Sequence, residues 1–147
     1  MPYNDRELLA RVIKCEAGGE GDDGMRAVAS VIMNRVNVPD GEYQRVGLGS
    51  LRNIVFQPGQ FDCAMSTIQG QHNPQNIYNA WPEDIHYQIA DWALGGGILN
   101  DVGTSLWFMN PFRPACPPEF PYNGSGVHHT RINQHCFFRP TARYSST

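Results

Sequence analysis

The chain has 147 residues, of which 41% are hydrophobic and 17% charged, a balance that fits one globular domain with its own core and excludes a disordered segment. The formal net charge is -3, Lys14 is the only lysine, and no basic stripe occurs, so the chain is not expected to bind nucleic acid. No apolar run approaches the ~20 residues of a membrane span, and the N-terminal MPYNDRELLARVIK lacks the basic and apolar regions of a signal peptide, which predicts a cytoplasmic origin or a trimmed N-terminus.

In chain order, Asp5 suits the N-cap of a first helix with Leu8, Leu9, Val12 and Ile13 on one face, ending near Glu16 or Ala17 where Gly18 and Gly19 follow. Asp23 suits the cap of a second helix, in which Met25, Val28, Ala29, Ile32, Met33 and Val36 recur at helical spacing. Residues 37–49 read as loop, Ser50 as the cap of a short helix LRNIVF, and FQPGQF (56–61) as a turn between aromatic residues. Residues 62–80 are polar and weakly patterned. Pro82 suits the first turn of a third long helix with Ile85, Ile89, Trp92 and Ala93 inward, stopped by Gly95, Gly96 and Gly97. SLWFMNP reads as a strand closed by Pro111, residues 111–126 as loop, and HCFFRP (135–140) as a second strand. Helices followed by strands predict an α+β domain over residues 1–147, with a core from about 5 to 140 and a mobile tail at 141–147.

Four constellations bear chemistry. Glu16, Glu20, Asp22 and Asp23 crowd one helix–loop junction. They read either as an acidic, solvated cap or as a site in which a carboxyl tethered to the core keeps its proton and acts as a general acid. Glu16 follows Val12 and Ile13 and is the tethered member; Glu20, Asp22 and Asp23 sit in glycine-rich backbone. A calcium loop fits poorly, because the spacing lacks alternate ligands. Cys116, His128, His129, His135 and Cys136 are metal-ligand types in one region, but their spacing matches no usual zinc pattern, and no metal is expected. A cysteine nucleophile is disfavoured, because Glu16 beside Cys15 raises a thiol's pKa. Gln57, Gln60, Phe61, Trp107, Phe108, Asn110 and Tyr122 are aromatic faces and amides suited to sugar rings, with Trp107 and Phe108 on opposite strand faces, so that one of them meets a cleft. The cysteines read as free thiols or as a bridge, Cys116–Cys136 being favoured if one forms.

Together EAGGEG, GMRAVASVIMNRV, FQPGQF, SLWFMNP and INQHCFF make the chain resemble the spore cortex-lytic cell wall hydrolases of the SleB/CwlJ type, over about Leu8 to Pro140. The lack of a signal peptide, Cys116 followed by proline, and the HCFFRP ending look more like the CwlJ branch. The resemblance implies a lysozyme-like fold related to lytic transglycosylases and peptidoglycan glycan strands as substrate. It implies no cofactor, a spore location at the coat/cortex boundary, and a spore coat protein as partner. The first glutamate of the family's E-A-x-G-E motif is catalytic, which here is Glu16; Glu20 becomes a secondary candidate. Gln57, Phe61, Trp107, Asn110 and Tyr122 become candidate sugar contacts. The expected reaction is transglycosylation giving 1,6-anhydro-muramoyl ends, with a hydrolytic muramidase or glucosaminidase, or a non-catalytic cortex-binding protein, as alternatives.

Overall fold

A computed structural model of the chain describes residues 3–147. Five helices form the first two thirds: α1 (Asp5–Ala17), α2 (Gly21–Asn37), α3 (Gly41–Gly47), α4 (Leu51–Val55) and α5 (Asp84–Leu94). A 3₁₀ turn (Asp62–Ala64) and a small hairpin of β1 (Thr67–Ile68) and β2 (Gln71–His72) lie between α4 and α5. The last third carries β3 (Trp107–Met109), β4 (Gly126–Ile132) and β5 (His135–Pro140), an antiparallel sheet of order β3-β5-β4. A second 3₁₀ turn, Ala142–Ser146, ends the chain. The architecture is the expected α+β one.

α2 is the central element. Ala27, Val28, Ala29, Ser30, Val31 and Ile32 are all fully buried, so the helix is covered all round where the apolar stripe alone predicts one covered face. It starts at Gly21, with Glu20 at the N-cap position, and Asp23 sits inside the first turn instead of capping it. The first helix is capped by Asn4, whose side chain accepts from the Glu7 amide at 2.9 Å; Asp5 is the first helical residue. There its charge favours the positive end of the helix dipole. Ser50 caps α4 as expected, accepting from the Asn53 amide at 3.2 Å.

Several expectations need correction. Residues 37–49 contain α3, which buries Tyr43 at 2% exposure. α5 starts at Asp84, beyond Pro82, because Glu83 and His86 form a reciprocal capping box. Its inward residues are His86, Ile89, Ala90 and Ala93, while Ile85 and Trp92 are only half-buried. Arg26 lies over the Trp92 ring at 4.8 Å and Gly97 passes beneath it, which holds Trp92 at the rim. The sheet has a third strand, β4, of which the sequence reading puts only Gly126 in loop and leaves residues 127–132 unassigned. The β4 pattern is irregular because a bulge at His128/Thr130 shifts the register. Cys116–Cys136 is bridged, and so is Cys15–Cys63. The second pair joins helix to turn across 48 residues, a match that sequence order does not advertise.

The C-terminal tail is docked. Tyr144 is 3% exposed; its hydroxyl donates to the Asp40 carbonyl at 3.0 Å and accepts from the Tyr43 amide at 3.1 Å. Its ring meets Trp107 edge-on at 5.6 Å and Tyr43 at 6.2 Å. Gly41 has φ +69, and a Cβ there would stand 2.5 Å from the Tyr144 ring, so this glycine is needed both for its backbone and for close approach. Tyr144→Ala is expected to cost roughly 3–5 kcal/mol by the cavity and lost hydrogen bonds. Urea unfolding measures it, and a loss below about 1 kcal/mol would show that the tail is not part of the core.

Candidate active site

Glu16 stands in the last turn of α1, flanked by the buried Ala17 and by Cys15, whose bridge to Cys63 fixes the helix end. Its side chain is half-buried, and no hydrogen bond or ion pair engages its carboxyl among the described residues. Burial raises its pKa from 4.5 to about 7, the Asp62 carboxylate pushes the same way, and Arg35 opposes both. A carboxyl with that proton affinity is protonated in part near neutrality, and its ionised form is a competent base.

Arg35, in the last turn of α2, is 4% exposed. Its Nε donates to the Leu106 carbonyl at 2.7 Å, the residue before β3. The guanidinium lies 4.7 Å over the Tyr43 ring and 5.1 Å over the Phe61 ring. Those ring faces offset part of the cost of burying a cation. The same charge is the one that draws on Glu16.

Arg35 also forms part of the wall of a cavity of about 360 Å³, with Glu42, Tyr43, Gln60, Trp107, Phe108, Phe120, Asn123, Ser125 and Tyr144. The Tyr43 hydroxyl donates to Gln60 Oε1 at 3.1 Å, and the Ser125 hydroxyl donates to Asn123 Oδ1 at 2.5 Å. The cavity thus combines aromatic walls with amides, hydroxyls and one buried cation, a composition suited to a polyhydroxylated ligand. Glu16 is not in that wall; Arg35 connects the two.

Residues 19–138 match the Cell Wall Hydrolase family. The chain belongs to that family. Similar proteins include the cell wall hydrolase CwlJ of Bacillus subtilis (strain 168), 29% identical with 94% of this chain and 87% of that one covered. CwlJ of Halalkalibacterium halodurans is 32% identical with the same shares covered. The fold is that of the catalytic domain of the germination-specific lytic transglycosylase SleB from Bacillus anthracis, with TM-score 0.62 and 24% identity over 94% of this chain and 98% of that one.

Within this cell wall hydrolase the expected site residues separate. Glu20 is turned away from the acid: its Oε1 accepts from the Gln134 amide at 3.0 Å and lies 3.2 Å from His135 Nδ1, without hydrogen-bond alignment to the ring. Its backbone carbonyl accepts from Asn133 Nδ2 at 2.5 Å, so Glu20 ties α2 to the β4–β5 turn. Burial favours neutral His135, against the pull of Glu20. Trp107 and Phe108 both line the cavity, although they alternate on β3; Trp107 packs beside Tyr144 and Tyr43, and Phe108 beside Phe61 and Phe137. Phe61 is 1% exposed and forms the surface beneath Arg35. Gln57 is taken up by Glu42, to which its Nε2 donates at 3.0 Å. Asn110 Oδ1 accepts from the Phe112 amide at 2.8 Å and shapes the loop after β3. Tyr122 is exposed, its ring edge-on to Phe120 at 5.6 Å.

Arg35, Tyr43 and Asp62 escaped the sequence reading. Arg35 had a signal: it stands seven residues after Val28 and three after Ile32, on the apolar face, where a charge needs a reason. Tyr43 lay in the missed α3. Asp62 becomes meaningful only once Cys63 is known to pair with Cys15.

The raised Glu16 pKa fixes a stability prediction. The protonated form is favoured on folding, so its contribution is present below about 4.5 and is lost as pH rises through about 7. Glu16→Gln, which cannot ionise, is expected to gain roughly 1–3 kcal/mol on the native chain between about pH 5 and pH 8. Paired thermal melts across that range test this, and a pH-independent difference would contradict it.

Proposed function

We propose that this cell wall hydrolase cleaves the glycan strands of spore cortex peptidoglycan during germination, as a lytic transglycosylase with Glu16 as acid and then base. The single observation that carries the reading is a half-buried, unpartnered carboxyl with pKa about 7, acted on by the buried Arg35 that lines a polar–aromatic cavity, in a chain of the SleB catalytic-domain fold. Its likeness to the cell wall hydrolase CwlJ and to the germination-specific lytic transglycosylase SleB supports the substrate and the setting.

In this reading Glu16 gives its proton to the oxygen between N-acetylmuramic acid and N-acetylglucosamine. The muramoyl C1–O bond breaks and N-acetylglucosamine leaves with a free 4-hydroxyl. The positive charge on muramoyl C1 is met by the substrate's own acetamido oxygen. The ionised Glu16 then takes the proton of the muramoyl 6-hydroxyl as its oxygen attacks C1, which closes the 1,6-anhydro ring and restores the acid. One carboxyl suffices, consistent with Glu20 being held at the β4–β5 turn. Trp107, Phe108 and the Gln60 and Asn123 amides are the proposed sugar-holding groups, and Asn110 and Tyr122 flank them from the following loop. A coat protein partner belongs to the same reading.

One observation favours simple hydrolysis instead: Asp62 acts on Glu16 electrostatically, and a second carboxylate is what a hydrolase uses to activate water. Mass spectrometry of digested cortex separates the two. Anhydro-muramoyl ends are expected, and reducing ends would establish hydrolysis. Glu16→Gln is expected to lower kcat by at least ~10³-fold with the fold intact by circular dichroism. Retained muropeptide release in that variant would remove Glu16 from the mechanism.

A further inference from the structure

The Cys15–Cys63 bridge joins the residue before Glu16 to the residue after Asp62. Its Cα atoms are 6.1 Å apart, so the end of α1 and the start of the 3₁₀ turn form one covalent unit. Around Asp62 the chain alternates between inside and outside: Phe61 and Cys63 are 1% and 4% exposed, while Asp62 itself is exposed. The two buried neighbours anchor the turn on either side of it. The turn's backbone is held as well, because the Asp62 carbonyl accepts from the Met65 amide and from Asn73 Nδ2, each at 3.0 Å. No hydrogen bond or ion pair engages the Asp62 carboxylate among the described residues.

Most other charges on the elements around α1 are engaged away from Glu16; Asp23 of α2 is exposed and is not among the groups that act on it. Glu20 on α2 is held by the β4–β5 turn. Asp22 pairs with Arg26 on the same helix. Lys14 donates to the Trp81 carbonyl, and Arg11 to Glu7 and to the Ile77 and Ala80 carbonyls. Arg6 pairs with Asp91 of α5, where His86 is used in the cap. Arg52 of α4 donates to the Tyr3 carbonyl. Arg35 and Asp62 are the two charged groups that act on Glu16.

We propose that Asp62 is a positioning residue for Glu16, its carboxylate kept near that of Glu16 by the Cys15–Cys63 bridge. This rests on the reading of Glu16 as the acid. Asp62 touches no reacting atom; it works by opposing Arg35, which alone would draw Glu16 towards ionisation. The bridge supplies what a polar turn cannot supply by itself, a fixed separation between two like charges that would otherwise swing apart.

The test is a titration of Glu16 by NMR on protein carrying ¹³C-carboxyl glutamate, with the Glu16 signal identified by its loss in Glu16→Gln. In Asp62→Asn the midpoint is expected to fall by roughly 0.5–1 unit, and Asp62→Glu is expected to restore it. A Cys15→Ser, Cys63→Ser double variant, read below its melting temperature, is expected to shift it in the same direction. The alkaline limit of kcat/KM on cortex fragments is expected to move down with it, while kcat at about pH 5 stays within twofold, as expected of a group acting through another. A Glu16 midpoint unmoved in Asp62→Asn overturns the proposal, and so does a kcat lost equally at every pH, which would make Asp62 a catalytic base. The titration needs no activity, so activity retained by Glu16→Gln would strike the acid assignment alone.

Discussion

A guanidinium buried between two aromatic rings is the constraint on which the rest of the structure depends. Arg35 is 4% exposed, and burying a cation is costly unless it is engaged; here Nε donates one hydrogen bond, the two ring faces meet the guanidinium, and Nη1 is buried without a hydrogen-bond partner among the described residues. Its Nε fixes the Leu106 carbonyl, which sets where β3 begins and therefore where Trp107 and Phe108 stand. Tyr43 and Phe61 sandwich it, which sets the spacing of α3 and of the FQPGQF turn from α2. Glu16 feels its charge from α1. Deleting such a group strands its partners, so the expected loss is in the range of about 3–5 kcal/mol that broken buried charge arrangements show.

Arg35 does not act alone on α2. Ser30 Oγ accepts from the Leu99 amide at 2.9 Å, and Asn34 Nδ2 donates to the Gly103 and Ser105 carbonyls at 2.9 and 3.0 Å. Three polar residues of an otherwise apolar helix thus hold the backbone of residues 99–106, a segment with no regular structure of its own. That segment would otherwise bury unsatisfied peptide groups. The helix lobe and the sheet are therefore joined by backbone accounting on one side and by the Tyr144–Tyr43–Trp107 cluster on the other. The cavity lies between the two seams. Its walls come from six segments distant in sequence, which explains why the tail must dock for it to close.

The sequence made the helices legible because each carries its own period and caps: Leu8, Leu9, Val12 and Ile13 mark α1, and the Met25–Val36 stripe marks α2. Glu16 stands out in the sequence for a related reason, as the one acid of its cluster that continues an apolar helix, and the resemblance to the family motif points to the same residue. What stayed hidden depended on pairing across the chain. β4 is broken by a bulge and carries no strand pattern that can be read before β5 lies beside it. Cys15 and Cys63 sit on unlike elements, 48 residues apart. The assignment of Glu20 as an assistant to the acid shared this weakness: four residues from Glu16 in sequence, it is drawn off by Gln134 and His135, more than a hundred residues away. Gly24 records that docking locally, since a Cβ there would stand 2.4 Å from the Glu20 Cβ and 3.4 Å from Asn133 Nδ2.

The acid's setting is a balance between opposed effects. Burial alone would make Glu16 a permanent acid, slow to release its proton; Arg35 alone would leave it ionised and unable to donate. The proposed reaction, in which Glu16 donates and then accepts a proton, calls for a proton affinity between those limits, and about 7 is such a value. A fully solvated carboxyl could not hold it, because burial is the largest of the effects that raise it. A fully closed core could not admit a sugar. The half-buried end of a helix, with a cation fixed behind it and the neighbouring turn bonded to it through sulfur, meets both demands. The acidic crowding at residues 16–23 is therefore misleading as a unit: the charge that completes the balance, Asp62, comes from 46 positions beyond Glu16 and is brought back by a bridge between their neighbours.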